Sequence, residues 1–244
     1  MHKISLRNDA YAVDILPALG GAISSFRACA ANGEEFDLLA PADNVADDTN
    51  TRFAAQPRLP FITQTAALQA NGGNIANSPW TVQDASDVRA TLTCYFPPLT
   101  TEQPWEFQLL QRIVIQPEGL QIYLALTNIG KQPIPARLGM ALRLQPAADI
   151  RFGGIANLPD ALPCWVGLAA PNCHGEISCP SCPFDLAIET DASLSALWLE
   201  TADCAPTPKS APQAVAGAGQ AMLAQADSCA GQLQLSARLK TAGR

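Results

Sequence analysis

The sequence predicts an all-β chain folded as a large antiparallel β-sandwich. Three observations carry that expectation. Apolar and polar residues alternate, or gather in compact apolar runs, along most of the chain. Turn-forming residues recur at short spacing. A chain of 244 residues that is 48% hydrophobic and only 15% charged can bury a large core. Taken in order, strands are expected at His2–Leu6, Tyr11–Leu16 and Ala22–Arg27, the last two joined through Gly20-Gly21, which can take the positive φ of a tight turn. Asn32-Gly33 precedes a strand at Glu35–Leu39, and Pro41–Gln56 reads as one or two helical turns, with Asp47 and Asp48 favouring a helix N-terminus. Trp80–Val82, Ala90–Phe96, Phe107–Ile115 and Leu120–Asn128 follow, with Glu118-Gly119 turning between the last pair. Beyond Ile129-Gly130 come Ile134–Leu144, Phe184–Glu189 and Leu194–Glu200; Ala202–Gly219, rich in Ala, Pro and Gly, reads as a long loop before a final strand at Gln232–Leu239. No internal repeat or linker interrupts this run, so residues 1–244 are expected to form one domain.

Charge and hydropathy narrow the function classes. A net charge of −7 and a pI near 4.7, without a basic stripe, set a repulsive field against phosphate backbones and anionic lipid, so neither nucleic acid nor membrane is an expected partner. No window approaches the roughly 20 apolar residues of a membrane span. The opening MHKISLRNDAYAVDIL alternates polar and apolar residues rather than forming a signal-peptide run, and a cytoplasmic location is expected.

Several segments share an outline. Leu16-Pro-Ala-Leu-Gly-Gly-Ala-Ile-Ser-Ser-Phe is a Pro/Gly turn opening a strand, followed by Glu35-Phe-Asp-Leu-Leu. The segment Trp105–Pro146, WEFQLLQRIVIQPEGLQIYLALTNIGKQPIPARLGMALRLQP, is a long meander ending in Leu138-Gly-Met-Ala-Leu-Arg-Leu. Together these resemble the aldose 1-epimerase (galactose mutarotase) family, whose meander leads into a catalytic histidine. The resemblance implies a galactose mutarotase-like sandwich with a ligand cleft across the concave face of one sheet. It also implies that the positions expected to do the chemistry are changed. Pro57-Arg-Leu-Pro-Phe-Ile-Thr-Gln-Thr is similar to the family stretch ending in Asn-Arg-Ile, and the sugar-binding arginine position is Gln64. Gly72-Gly-Asn-Ile-Ala-Asn-Ser-Pro-Trp80 is similar to the His-Gly segment, with Gly72 at the histidine. Ala141 stands at the second histidine. Asn172-Cys-His-Gly resembles the region whose acidic residue bonds a sugar hydroxyl, a bond Asn172 can still make. Cys204-Ala-Pro206 stands where the family has Glu-Pro, putting Ala205 at the general base.

Mutarotation needs a base to take the anomeric hydroxyl proton and an acid for the ring oxygen, and Gly72, Ala141 and Ala205 supply neither. Positioned acid–base groups contribute on the order of 10²–10⁴-fold in rate, so their loss removes most of the advantage over the spontaneous reaction. Two displaced groups are candidates for a relocated site: Arg143, two residues after Ala141, and Asp203, two before Ala205, each on the same strand face if the strands are regular. His174, beside Asn172, is a third. Gln64, Asn172, His174 and Trp165 are the candidate ligand contacts, Trp165 as the sugar-stacking ring; Trp80, Trp105 and Trp198 sit in strand-like runs and are expected in core packing.

A second constellation is independent of the resemblance. Cys164, Cys173, Cys179 and Cys182, with His174, fall in one stretch, and Cys179-Pro-Ser-Cys182 has the two-residue spacing that brings two thiolates to one tetrahedral metal or to each other. A regular zinc module pairs two such knuckles, whereas Cys164 and Cys173 have eight residues between them rather than two, so buried reduced thiols are the competing reading. The expected function is therefore an aldose 1-epimerase-like carbohydrate-binding protein, taking a carbohydrate or sugar phosphate, without a cofactor and without the usual acid and base. The alternatives are an active sugar epimerase built on displaced residues, and a non-sugar assembly or regulatory protein with a Cys-rich metal or redox site.

Overall fold

Residues 2–43, 52–58, 78–98, 104–134, 138–153, 164–167, 173–191, 194–203 and 222–240 are described by the computed structural model, with the backbone alone at 164–167 and 195–196. Among them the chain forms strands and no helix. In chain order these are β1 (Ile4–Arg7), β2 (Tyr11–Leu16), β3 (Ala22–Cys29), β4 (Glu35–Asp37), β5 (Ala55–Arg58), β6 (Thr81–Ala85), β7 (Arg89–Phe96) and β8 (Phe107–Gln116). They continue as β9 (Gly119–Asn128), β10 (Leu138–Leu144), β11 (Asp149–Gly153), β12 (Cys164–Gly167), β13 (His174–Ser178), β14 (Phe184–Thr190), β15 (Leu194–Thr201) and β16 (Ser228–Leu239).

Two eight-stranded sheets result. The first runs β1-β2-β3-β5-β10-β15-β12, with β4 paired to β3; the second runs β11-β13-β14-β16-β9-β8-β7-β6. The two-residue period explains how they close on each other. Along β7, Ala90, Leu92, Cys94 and Phe96 are buried while their neighbours are wetter, and β8 and β9 repeat the pattern with Leu109 and Ile113, then Leu120, Ile122 and Leu124. These side chains meet Ile15, Ile23 and Phe26 of β2 and β3, and Met140, Leu142, Leu197 and Leu199 of β10 and β15, in one continuous core. The result is the two-layer sandwich that the alternation predicts.

Three glycines meet demands that only glycine satisfies cheaply. Gly20 and Gly21, at φ 70° and 63°, make the β2–β3 turn in the left-handed region, and a Cβ on Gly21 would lie 2.6 Å from Gln111 Oε1. Gly119 takes φ 152° at the start of β9, where a Cβ would lie 2.1 Å from the Leu235 carbonyl oxygen.

Some elements differ from expectation. β5, β11, β12 and β13 are strands the periodicity does not announce. One pairing, β10 with β15, is parallel, whereas the other strand pairs are antiparallel. Ile134 forms an isolated bridge to Leu223 instead of opening a strand, and β10 begins at Leu138. Of the stretch expected to hold helical turns, Asp43 and Arg52 form an antiparallel bridge and Ala55 enters β5, while residues 44–51 lie outside the described set.

Candidate functional site

β10 is central to the first sheet, with β5 on one side and β15 on the other. Its even-numbered residues Met140, Leu142 and Leu144 enter the core, so Gly139, Ala141 and Arg143 belong to the opposite face. The register carries that face across the neighbours. Gly139 is opposite Arg58 and Ala141 opposite Gln56 on β5; Ala141 is opposite Trp198 and Arg143 opposite Glu200 on β15. The smallest side chains, Gly139 and Ala141, thus form the floor of a trough. Gln56 and Arg58 stand on one wall, Trp198 and Glu200 on the other, and Arg143 closes one end. Two inter-strand spacings separate the walls, roughly 10 Å.

This face is covered. Gln56, Arg58, Ala141, Arg143, Trp198 and Glu200 keep only 2–8% of their surface, although four of the six are polar or charged. Buried charges are rare unless paired, so their partners define the site. Arg143 donates from Nη1 to the Pro41 carbonyl at 2.7 Å and from Nη2 to Asp43 Oδ2 at 2.7 Å. The same Asp43 oxygen accepts from Arg52 Nη2 at 2.9 Å and Nε at 3.2 Å, and Arg52 Nη2 reaches the Ala202 carbonyl at 3.3 Å. Burial works against ionisation of Asp43, but the Arg52 hydrogen bonds and the Arg143 charge outweigh it and hold the carboxyl below the usual carboxylate range. On β15, Trp198 Nε1 donates to Glu200 Oε2 at 3.1 Å, joining the ring to the acid two residues on. Burial pushes the Arg58 guanidinium down to about 10, with Glu200 pulling the other way.

The sequence-derived candidates divide among several places. Ala141 and Arg143 lie on the trough. Trp165 is on β12, at the register position opposite Trp198, and Cys164 is opposite Leu199. Asp203 is exposed in the turn after β15; a hydrogen bond from Thr201 lowers its carboxyl pKa. His174 is on β13 of the second sheet, on the face opposite buried Gly175 and Ile177, where it lines an open groove of about 250 Å³ with Arg151, Glu176, Glu189 and Arg238. The structure therefore does not bring His174 to the same face as Arg143. Gln64, Gly72, Asn172 and Ala205 lie outside the described residues. Cys173, Cys179 and Cys182 are buried free thiols; Cys179 Sγ lies 3.0 Å from Ser181 Oγ, and burial raises the Cys182 thiol. Among the described residues no group of three His, Cys, Asp or Glu is placed to hold a metal. The Cys164 side chain is not among those described.

Sequence reasoning missed Gln56, Arg58, Trp198 and Glu200 as a set. One signal was available for two of them: Trp198 and Glu200 alternate with Leu197 and Leu199, so whichever face holds the leucines, the indole and carboxylate share the other. Nothing comparable marks β5, whose four residues Ala55–Arg58 are all buried.

No family model matches the chain, and no curated protein matches it in sequence. Solved structures do match its fold over nearly its whole length. A putative aldose 1-epimerase from Escherichia coli K12 superposes with a TM-score of 0.69 at 16% identity, over 98% of this chain and 99% of that one. A galactose mutarotase-like protein from Lactobacillus casei gives 0.63 at 14% identity, over 97% and 100%. A galactose 1-epimerase from Lactobacillus acidophilus gives 0.58 at 11%, over 98% and 95%. The chain has the galactose mutarotase-like fold. Among its described residues no helix is long and apolar enough to cross a membrane.

Proposed function

We propose that this chain is an aldose 1-epimerase-like carbohydrate-binding protein that works without the family's usual histidines. The reading takes residues 1–244 as one galactose mutarotase-like domain, cytoplasmic and serving carbohydrate metabolism. The observation that carries it is the covered polar trough on β5, β10 and β15: an indole and a planar amide face each other across Ala141, in the sheet position that the resemblance assigns to the catalytic histidine strand. Indole offers an apolar face to sugar C–H groups, and Gln56, Arg58 and Glu200 offer donors and acceptors for hydroxyls. Fold likeness alone does not confer an activity. Support for this reading therefore comes from the trough as well as from the fold.

Glu200 favours a second reading. A buried carboxylate on the Ala141 face can accept a proton from an anomeric hydroxyl, so an epimerase using displaced residues would rest on Glu200 rather than on exposed Asp203. Calorimetric titration with galactose and glucose, beside polarimetry of freshly dissolved α-anomers, separates the two. Binding that is lost in Trp198→Ala, without faster mutarotation, supports the binding protein. Acceleration that disappears in Glu200→Gln supports the epimerase. No binding and no acceleration with any aldose or sugar derivative would sink both.

A further inference from the structure

The ions of the trough are not evenly matched. Arg52 and Arg143 share Asp43, and Glu200 already accepts the Trp198 N–H. Arg58 is left over. Only 8% of the residue's surface is exposed, its Nε has no hydrogen-bond partner, and it makes no direct ion pair with any described acid. Three guanidiniums thus share two carboxylates among the described residues of this face. A buried, unpaired guanidinium is strongly disfavoured, and its five donors in a planar fork match a carboxylate or phosphate better than any neutral group. The residue opposite Arg58 in register is Gly139, which places no side chain of its own beside it.

We infer that Arg58 anchors an oxyanion, and that the ligand of the trough is a sugar carrying a carboxylate or a phosphate group. This rests on the carbohydrate reading above and adds the ligand's charge and orientation. The anionic end lies on the β5 wall with Arg58, and the neutral hydroxyls face Glu200 on the β15 wall, where a second anion would be repelled. Trp198 then meets the body of the ring.

The experiment is a calorimetric titration of the whole chain with galactose, glucose, the two corresponding hexuronates, the two hexose 6-phosphates and inorganic phosphate. Charge-assisted bidentate contacts predict that at least one anionic sugar binds about tenfold tighter, or more, than its neutral parent. The hexuronate and 6-phosphate arms say which oxyanion is meant. In Arg58→Gln that ratio should fall to about one. Arg58→Lys keeps the charge but not the fork and should fall between, and it serves where the glutamine variant does not fold. Equal binding of neutral and anionic sugars would overturn the inference while leaving the carbohydrate reading intact. Inorganic phosphate binding as tightly as any sugar phosphate would also overturn it, because the sugar would then contribute nothing. Failure of every sugar to bind would remove the carbohydrate reading itself.

Discussion

Asp43→Asn tests whether Arg143 belongs to the structure of the trough or to its chemistry. Asp43 Oδ2 receives Arg143 Nη2 at 2.7 Å and Arg52 Nη2 at 2.9 Å, and its Oδ1 receives the Arg52 backbone N–H at 3.2 Å. The substitution keeps the shape and removes the charge. Arg143, with a side chain only 6% exposed, would then keep the Pro41 carbonyl as its close partner, with Glu200 acting from further off. Breaking one member of a fully buried pair costs about 3–5 kcal/mol. Asp43 retains 29% of its side-chain exposure, so water screens part of that and about 2 kcal/mol is expected at pH 7. Urea unfolding monitored by circular dichroism reads it directly. The sign with pH follows from the depressed carboxyl. Because the folded pKa lies below the ordinary aspartate value near ~3.9, the stabilisation is fully present above that value and is lost as pH falls through the folded one. Asp43→Asn should therefore cost most near neutrality and progressively less in acid. A cycle with Arg143→Met should return a coupling of about 1–2 kcal/mol. Loss below about 0.5 kcal/mol, or a loss that does not shrink in acid, would refute the view that Arg143 is held by Asp43.

Three further outcomes are expected. Gln111 is fully buried on β8, with both amide atoms lacking partners, so the volume-conserving Gln111→Met should raise stability by about 1 kcal/mol in the same urea assay; destabilisation would mean the amide is satisfied. Gly119→Ala forces a side chain into the left-handed region and against the Leu235 carbonyl, and should cost more than about 2 kcal/mol; a thermal midpoint unchanged from wild type would contradict the observed β8–β9 turn. Burial moves the Cys94 thiol from 9.0 up to about 11, so at pH 8 its thiolate fraction and its alkylation rate in the native protein should fall about a hundredfold below those of a free thiol, as mass spectrometry after iodoacetamide would show.

Strands whose two faces meet different surroundings were legible. Ala90–Phe96, Phe107–Ile115 and Leu120–Asn128 alternate because one face enters the core, and Tyr11–Leu16 is a compact apolar run; all four lie within a residue or so of their observed limits. β5 was not legible: Ala-Gln-Pro-Arg contains one small apolar residue, and a proline within a strand argues against the assignment. β11 and β13 carry few apolar residues, so their pairing on the edge side of the second sheet left little trace in composition. The site followed the same rule. Alternation says which residues share a face, but not that the face away from the core is also covered. Nothing in the alternation therefore marks Arg58 or Glu200 as buried. The outline of the fold, by contrast, was carried by many segments at once, and the match to galactose mutarotase-like structures agrees with it.

The parallel pairing of β10 with β15 has a kinetic consequence. Between them the chain crosses to the second sheet to form β11, returns to the first for β12, then crosses again for β13 and β14 before β15 can dock. Closing such a long excursion must precede any reward from the Ala141–Trp198 register, and contacts of that separation slow folding. The trough is therefore expected to assemble late during refolding. A chain truncated before Leu194 lacks one of its walls altogether, however well the β7–β8–β9 meander forms by itself.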